Sequence, residues 1–542
     1  MNARHLAPRR LLAIAATAGL LAAAVGGGPV LGQESEGDQP IDFTHSVVDA
    51  PAPVTSAVFG TDGSLKSGQV VCTTTTSTAA NVNTDCEAAP GPHNETSIAV
   101  NPTDHDNIVG GANDYQLGLN PGFHVTETVL SRAHVSFDGG DTWSMYPIVF
   151  DSSYQATGDP AVAFDASGHA YYATLGFRFV GPANVQSPDV LVANSGDGGV
   201  HWSSVRVASG SGTFGSVGHL LDKEYLTAWG NGNALLTFGD YTLGPLGSYV
   251  QAVIKASVTH DHGATWSKPV TISGSKHDAF VSVPARAADG SIYVSFLNTD
   301  DLSTGRDSYY VVKVNGSTGA AVGNPVKVAD VIDGATDYPI AFGRQTYQDS
   351  TFRSWAAGNV TTDPTDSDHL AVVWSDMRNS TLPAPTNPYD ATTDSDVIVS
   401  ESTDGGATWG AAFAIELSGD QWMPWGAYDA GGTLRIGTFD RSGDADNHKY
   451  DFSLLNQTGA TTFSRTVVTT VQSDPTTGNR WFAGTLDPDF PNPTSFIGDY
   501  AGIGIVPGTT HVVAYWTDLR ETACFPAGVC RHGSDAYFAA VP

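Results

Sequence analysis

The sequence predicts an all-β protein built from repeated antiparallel units, and three observations support this fold class. The 542 residues include 60 glycines and 30 prolines, and only 15% of the residues are charged, a composition typical of turn-rich proteins. One octapeptide pattern recurs four times along the chain. Short apolar runs also alternate with turn residues, which favours antiparallel strands over helices.

The octapeptide follows the pattern Ser/Thr-x-Asp-x-Gly-x-Thr-Trp, with His replacing the second Thr in one copy. These residue types suit a hairpin turn, because Asp accepts hydrogen bonds from turn N–H groups, Gly adopts a positive φ and Trp packs on the sheet. The four copies span residues 136–143, 195–202, 259–266 and 402–409.

This pattern resembles the Asp-box, or bacterial neuraminidase repeat, of the sialidase superfamily, which includes secreted bacterial proteins. In that family the box joins the third and fourth strands of a propeller blade, on the face away from the active site. The resemblance therefore implies a sialidase-like β-propeller and a structural role for the box aspartates, which are Asp138, Asp197, Asp261 and Asp404.

The number of blades follows from the predicted innermost strands. Each should begin one four-stranded antiparallel blade, so we predict seven blades, with the six of typical sialidases as the alternative. The last blade lacks a fourth strand, and a strand near 69–74 is expected to complete it. The predicted inner strands are 96–100, 161–164, 225–229, 280–284, 354–357, 425–428 and 497–505.

The N-terminal 32 residues predict a cleavable secretory signal. Arg9 and Arg10 precede an apolar run of about 15 residues, a length that fits a signal and is short for the alternative, a membrane anchor. We expect residues 33–65 to form a loosely ordered tail and residues 66–542 to form the propeller. The protein is then secreted, either free outside the cell or associated with its surface.

Four cysteines fit an oxidising compartment. Two local disulfides, Cys72–Cys86 and Cys524–Cys530, are the simplest of the three possible pairings. A metal site is the alternative, although neither spacing is C-x-x-C.

The formal net charge of −31 limits the partners. An acidic surface repels nucleic acids and anionic membranes. We expect a monomer whose partner is a glycan, with no nucleic-acid partner and no membrane insertion after signal cleavage. No cofactor is required for this role, but acidic loops at 440–446 and 298–301 offer oxygen ligands for Ca²⁺.

Three predicted second strands end alike, and each delivers an acid and an arginine to one face. The arginines are Arg378, Arg441 and Arg520. Sialidases bind the substrate carboxylate with an arginine triad, since guanidinium groups match a carboxylate bidentately. The resemblance implies this role here, with Arg353 as a further candidate. The alternative is that each Asp–Arg pair only ties neighbouring loops together.

The resemblance also implies a tyrosine nucleophile, a glutamate that activates it and an aspartate acid/base. Tyr500 is the candidate nucleophile, Glu224 or Glu95 its activating base, and Asp159 the acid. Channel lining by Tyr500 and loop capping by the acids are the alternatives. The Phe/Tyr-Arg-Ile-Pro motif that carries the first sialidase arginine does not occur in this sequence.

Four tryptophans fall near predicted strand starts on the same face, namely Trp355, Trp422, Trp425 and Trp481. Indole rings there can stack on sugar rings, and blade packing is the alternative.

The combined features predict an exported, carbohydrate-active propeller that hydrolyses a terminal acidic sugar, as an exo-α-sialidase does. One alternative is a non-catalytic propeller that binds a glycan or a protein. The other is a polysaccharide lyase, for which His93 and His219 are the candidate bases.

Overall fold

The computed structural model is a seven-bladed β-propeller of four-stranded antiparallel blades. It describes residues 70–72, 81–85 and 93–542, apart from 120–124, 149, 152, 155, 179–184, 214, 302–305, 333–339, 342–343, 351, 355–356, 384–391, 476–496, 521, 525–529 and 533. The all-β prediction and the count of seven blades are confirmed. The predicted signal and tail, residues 1–32 and 33–65, lie outside the described residues.

In each blade the strands run in order from an inner strand at the central axis to an outer strand. Two short strands, β1 (Val70–Cys72) and β2 (Val82–Asn83), precede the first inner strand. Blade 1 contains β3 (His93–Val100), β4 (Ile108–Leu119), β5 (Val125–Ser136) and β6 (Trp143–Pro147). Blade 2 contains β7 (Ala156–Phe164), β8 (Ala170–Phe177), β9 (Asp189–Ser195) and β10 (Ser203–Ala208). Blade 3 contains β11 (Gly218–Trp229), β12 (Asn233–Leu243), β13 (Tyr249–Thr259) and β14 (Val270–Thr271).

The later blades follow the same plan. Blade 4 contains β15 (Ala279–Arg286), β16 (Ile292–Asp301), β17 (Arg306–Val314) and β18 (Ala321–Asp330). A hairpin of β19 (Ile340–Ala341) and β20 (Arg344–Gln345) precedes blade 5, which contains β21 (Asn359–Thr362), β22 (Leu370–Asp376), β23 (Asp396–Ser402) and β24 (Phe413–Ile415). Blade 6 contains β25 (Gln421–Tyr428), β26 (Leu434–Asp440), β27 (Asp451–Gly459) and β28 (Thr462–Val467). Blade 7 contains β29 (Gly502–Ile505), β30 (Val512–Asp518) and β33 (Asp535–Val541), with a hairpin of β31 (Thr522–Cys524) and β32 (Cys530–His532) inserted before β33. The one helical turn in the described part of the chain is a 3-10 turn at Pro245–Gly247, and no helix there has the length and hydrophobicity to span a bilayer.

The strand that closes the ring differs from the one predicted. β2 pairs antiparallel with β33, with Val82 opposite Phe538, and so becomes the outer strand of blade 7. The strand expected to do this, near 69–74, corresponds to β1, which instead pairs with β6 as a fifth strand of blade 1. The physical reason is burial, because Val82 packs with Phe538 and Trp143 in a core shared by blades 7 and 1.

The inner strand of blade 5 also lies later than predicted. It is β21 rather than 354–357, and Arg353 instead forms an isolated bridge with Thr346. Asn359 explains this register, because its side chain exchanges two 2.8 Å hydrogen bonds with the backbone of Gly426 in blade 6. The Asn359 side chain therefore links the inner strands of blades 5 and 6.

All four octapeptides form the hairpin between the third and fourth strands of a blade. In the first copy, Asp138 accepts hydrogen bonds from the backbone N–H and the hydroxyl of Thr142 at 2.8 and 2.5 Å, while Trp143 Nε1 donates to the Gly140 carbonyl at 3.0 Å. Equivalent aspartate bonds occur in the other three copies. Antiparallel strand order places these hairpins at the opposite end of the blades from the start of the inner strands.

The described backbone bears on one of the two predicted disulfides. Cys524 lies directly opposite Cys530 in the β31–β32 hairpin, and paired strand positions are close enough for a disulfide. The Cys524–Cys530 bridge stays a prediction, as does Cys72–Cys86, because Cys86 lies outside the described residues.

Candidate functional site

The inner strands of most blades share a bulge in which one residue has a left-handed backbone. The ladder register shifts at this point, for example between Asn94 and Ser97 in β3 and between Gly158 and Ala161 in β7. A non-glycine residue in this conformation costs roughly 1–2 kcal/mol, so the bulge is a strained position. The residues concerned, with φ between 49° and 89°, are Glu95, Asp159, Lys223, Val281, Met423 and, just before β29, Gly498.

Glycine is required at position 498 by the approach of blade 1. A Cβ added there would lie 2.5 Å from Glu95 Cγ, a distance too short for two carbons. This close contact brings the start of blade 7 against the bulge of blade 1, so that Asp499 reaches the axis.

Lys223 in blade 3 joins acidic side chains from three other blades. Its Nζ lies 2.7 Å from Asp159 Oδ2, 2.8 Å from Asp499 Oδ2 and 3.5 Å from Glu95 Oε1. Arg353 adds a second cation, with Nη2 2.6 Å from Asp499 Oδ2. Burial by itself would lower the pKa of Lys223, but the charges of Asp159, Asp499 and Glu95 outweigh it and raise that pKa well above its usual value. Lys223 therefore stays charged at the centre of the group.

Glu224 is the member of this group that lacks a polar partner. It is 1% exposed, and neither of its carboxyl oxygens accepts a hydrogen bond from another described residue. Burial raises the pKa of Glu224 well above its usual value, and the charge of Asp159 adds to this. Burial therefore favours the neutral form of Glu224. We call the whole set the axial cluster, defined as Glu95, Asp159, Lys223, Glu224, Arg353 and Asp499.

Asn113 of β4 binds two members of the axial cluster, Glu95 and Asp159. Its Nδ2 donates to Glu95 Oε2 at 2.7 Å, and its Oδ1 accepts from the backbone N–H of Asp159 at 2.8 Å. Burial, followed by the charge of Asp159, raises the pKa of Glu95 well above its usual value. Blades 1 and 2 are thus joined at the bulge through one amide side chain.

Tyr500 lies beside the axial cluster, with Lys223 Nζ 5.6 Å from the centre of its ring, and its activation by a glutamate stays a prediction. Its hydroxyl donates to the Pro160 carbonyl at 3.2 Å, and within the described residues it has no hydrogen bond to Glu224 or Glu95. Burial, followed by the charge of Glu95, raises the pKa of Tyr500 well above its usual value. A neutral phenol without a base is a weak nucleophile.

A cavity of about 210 Å³ lies among the inner strands, and its lining includes Tyr225 and Tyr500, which directly follow Glu224 and Asp499 in the sequence. Three aromatic residues line it, Tyr225, Trp425 and Tyr500. The ring of Tyr225 lies 5.3 Å from that of Tyr500 and 5.4 Å from that of Trp425. Trp425, one of the tryptophans predicted to meet a sugar, is therefore placed at the cavity.

The three arginines predicted to hold a substrate carboxylate are instead bound to buried aspartates. Arg378 Nη2 lies 2.7 Å from Asp376 Oδ2, and Arg520 Nη2 lies 2.7 Å from Asp518 Oδ2. The same groups also bond to neighbouring loops, as Arg378 does to the Asp330 carbonyl at 3.0 Å. Arg378 and Arg520 therefore tie loops together in this structure, and carboxylate binding by the arginine triad stays a prediction.

Arg441 is likewise bound to an aspartate within the fold. It is fully buried, and its Nη1 lies 3.0 Å from Asp420 Oδ2. Trp422, predicted to contact substrate, is fully buried next to it, with its ring 5.2 Å from that of Tyr347 and 5.4 Å from that of Phe439. In this structure Arg441 and Trp422 are both packed within the fold, and their contacts with a substrate stay predictions. Trp355 and Trp481 lie outside the described residues.

The histidines considered as lyase bases are also apart from the axial cluster. His93 is buried near Asp85, Asp114 and Asp535. His219 is about half exposed and pairs with Asp240 at 2.7 Å. In the described part of the chain neither ring contacts a side chain of the axial cluster, so the lyase expectation lacks a base there.

The loop 440–446 is not arranged as a Ca²⁺ site. The Asp440 carboxylate accepts hydrogen bonds from Arg465 and from the Ser453 hydroxyl. Asp444 accepts backbone N–H groups of its own loop, including that of His448 at 3.1 Å. The oxygens expected to bind a cation are therefore used within the fold. For the second acidic loop, 298–301, the side chains of residues 300 and 301 are outside the described set.

Four of the six residues of the axial cluster were predicted from the sequence, namely Glu95, Asp159, Glu224 and Arg353. The roles of Lys223 and Asp499 were not predicted. Both stand next to a residue that was predicted, Glu224 and Tyr500 respectively. The missing signal was the alignment of the inner-strand starts, which places Glu95, Asp159 and Lys223 at one structural position.

Asp396 is a further buried carboxyl, in the third strand of blade 5, whose ionisation opposes folding. Burial, reinforced by the charge of Asp394, raises the pKa of Asp396 to about 7. The folded-state pKa lies above the unfolded value of about 3.9. The folded protein therefore keeps a proton that the unfolded chain releases, and stability from this group falls as the pH rises from about 4 to 7.

We expect Asp396→Asn to raise the free energy of unfolding by about 1–3 kcal/mol at pH 8 and to leave it nearly unchanged at pH 4. Denaturant melts of the variant and the wild type at the two pH values measure this. An equal difference at both pH values would show that ionisation of Asp396 does not matter.

The fold and the site define a class, a seven-bladed β-propeller with buried charges on its axis. No protein-family model and no curated protein matches this sequence. Among solved structures, the chain is similar to a protein of unknown function from Dyadobacter fermentans, at 13% identity over 87% of this chain and 98% of that one, with a TM-score of 0.44. It is similar to an α-L-arabinanase from Penicillium chrysogenum, at 12% identity over 85% and 97% of the two chains, with a TM-score of 0.41. It also resembles a Hadza microbial sialidase, at 15% identity over 64% of this chain and 63% of that one, with a TM-score of 0.38. Likeness at this level extends to the propeller fold and not to activity.

Proposed function

We propose that this protein is a carbohydrate-active propeller that hydrolyses a glycosidic bond at the axial cluster. The observation that carries the proposal is Glu224, a buried carboxyl without a hydrogen-bond partner among the described residues. It directly follows Lys223, whose Nζ lies 2.7 Å from Asp159 Oδ2. Glycoside hydrolysis uses two carboxyl groups, one of them as the acid.

The roles follow from the two environments. Glu224, whose neutral form burial favours, would protonate the leaving oxygen. Asp159, whose side chain is 11% exposed, would act as the second carboxyl group, either attacking the sugar or activating water. Lys223 would position Asp159 through their 2.7 Å contact, while the rings of Tyr225 and Trp425 would pack on the sugar.

Within this class we propose hydrolysis of a terminal acidic sugar, the exo-α-sialidase type of activity. The cavity of about 210 Å³ is smaller than the roughly 300–1,000 Å³ of usual ligand pockets, which suits one terminal residue rather than a chain segment. Under this proposal Tyr500 lines the cavity, and Glu224 and Asp159 are the two catalytic carboxyl groups.

A second candidate function is non-catalytic binding of a glycan or a protein. The observation in its favour is that Arg378, Arg441 and Arg520 are already bound to aspartates, so a sialidase-like arginine triad is not free to act.

The experiment is a screen of the purified chain against fluorogenic exo-glycosides, with the α-sialoside first and neutral sugars after it. Direct binding of the same glycans is measured in parallel. Turnover of a terminal sugar supports the proposal. Glycan binding without turnover of any substrate would overturn it in favour of the binding propeller.

A further inference from the structure

A second group of polar side chains lies where the ring closes, outside the axial cluster. His93 begins β3 of blade 1, Asp85 follows β2, and Asp535 begins β33 of blade 7. One donor atom from each of these residues lies within 4.8 Å of the other two. His93 Nδ1 is 3.6 Å from Asp85 Oδ2 and 3.8 Å from Asp535 Oδ1. These distances exceed a normal N–H···O hydrogen bond of about 2.7–3.2 Å.

His93 itself is the independent observation that points to a ligand. Its ring is 1% exposed, and neither ring nitrogen has a hydrogen-bond partner among the described residues. A buried polar group without a hydrogen bond is costly, whereas a cation between Nδ1 and the two carboxylates would satisfy it.

The other side of the ring fits the same interpretation. His93 Nε2 lies 3.5 Å from Asp114 Oδ1, and Asp114 Oδ2 lies 3.0 Å from Arg132 Nε. A histidine that binds a metal through one nitrogen usually directs the other N–H at a carboxylate, which orients the ring. Asp114 occupies that position here, and Arg132 holds it.

We propose that Asp85, His93 and Asp535 form a binding site for one divalent transition metal ion, with Zn²⁺ as the best fit. One imidazole nitrogen and two carboxylate oxygens match the donors of Zn²⁺, whereas Ca²⁺ prefers oxygen donors alone. Small side-chain movements would bring the three donor atoms to the usual Zn²⁺ distances of about 2.0–2.2 Å.

The ion would act at ring closure. Its ligands come from three chain segments, namely the residues after β2, the start of β3 and the start of β33, and in the described part of the chain β2 pairs with β33 at Val82–Phe538 and Asn83–Tyr537. A metal bound across this junction stabilises the closed ring, because an ion that binds the folded state and not the unfolded one shifts the equilibrium by mass action.

A proton on His93 is the alternative to a metal ion as the positive charge between these carboxylates. Burial lowers the pKa of His93, but Asp85 and Asp114 outweigh it and raise that pKa to about 10. The test must therefore detect the metal itself.

The test uses the purified full chain, stripped with a chelator, dialysed and titrated with Zn²⁺ against a competing dye. Bound zinc is counted by elemental analysis. We expect about one Zn²⁺ per chain, a rise in melting temperature with Zn²⁺, and at least a 100-fold weaker affinity in His93→Gln and in Asp85→Asn. Asp114→Asn should weaken binding by about 10–100-fold.

His219→Gln is the matched control, because it also removes a histidine paired with an aspartate and should bind Zn²⁺ as the wild type does. Circular dichroism checks the fold of each variant. If His93→Gln does not fold, the zinc affinity of Asp85→Asn decides the test. Less than one tenth of an equivalent of zinc on the folded wild type, or wild-type affinity in Asp85→Asn, would mean that a proton alone occupies the site and would overturn the proposal.

Discussion

Lys223→Met is expected to lower the free energy of unfolding by about 3–5 kcal/mol. The side chain is 3% exposed and lies within 2.8 Å of both Asp159 and Asp499. Removing the ammonium group leaves these buried carboxylates without their shared cation, and an uncompensated buried charge is far more costly than the loss of a surface ion pair. Denaturant unfolding of the variant and the wild type measures the difference.

Lys255→Met is the control for the loss of a lysine from a neighbouring position of the same blade. Lys255 lies 3.8 Å from Asp240 and is 24% exposed, so we expect its loss to cost at most about 1 kcal/mol. If the two variants unfold at the same denaturant concentration, the axial cluster is not held together by Lys223.

Glu224→Gln is expected to reduce turnover by about 10²–10⁴-fold. The amide keeps the shape of the side chain but cannot donate a proton to the leaving oxygen. Because burial already holds Glu224 neutral, the substitution should change stability little. The loss should be largest for substrates with poor leaving groups and smallest for aryl glycosides whose leaving group needs no proton.

Asp404→Asn is the matched control for this prediction, as an acid-to-amide change in an octapeptide hairpin at the far end of a blade. It breaks bonds to Thr408 and should leave turnover unchanged. A Glu224→Gln enzyme that loses the same factor on every leaving group would show that Glu224 does not act as the acid.

Much of the fold could be predicted because the local signals repeat. The octapeptide binds its own backbone through Asp138 and its equivalents, so its conformation depends on nearby residues alone. Ring closure could not be predicted in the same way. Whether 69–74 or Val82–Asn83 fills the outer place of blade 7 depends on packing against Phe538, more than 450 residues away.

The candidate site was predicted only in part for a related reason. Glu95, Asp159, Glu224 and Tyr500 were found because each stands at the start of an inner strand. The role of the arginines could not be decided from the sequence, because an Asp–Arg pair has the same sequence whether the arginine faces a ligand or bonds to its own aspartate. The structure distinguishes these two arrangements, because Arg378 and Arg520 each lie 2.7 Å from their own aspartates.

The most direct test of catalysis at the axial cluster is the turnover of Asp159→Asn on the best substrate from the exo-glycoside screen. Ligand binding is measured on the same preparation. The proposed role of Asp159 predicts that turnover falls by about 10³-fold or more, while the affinity for the sugar product changes only a few-fold. Turnover within a factor of two of the wild type, in a folded variant, would contradict the assignment of catalysis to the axial cluster.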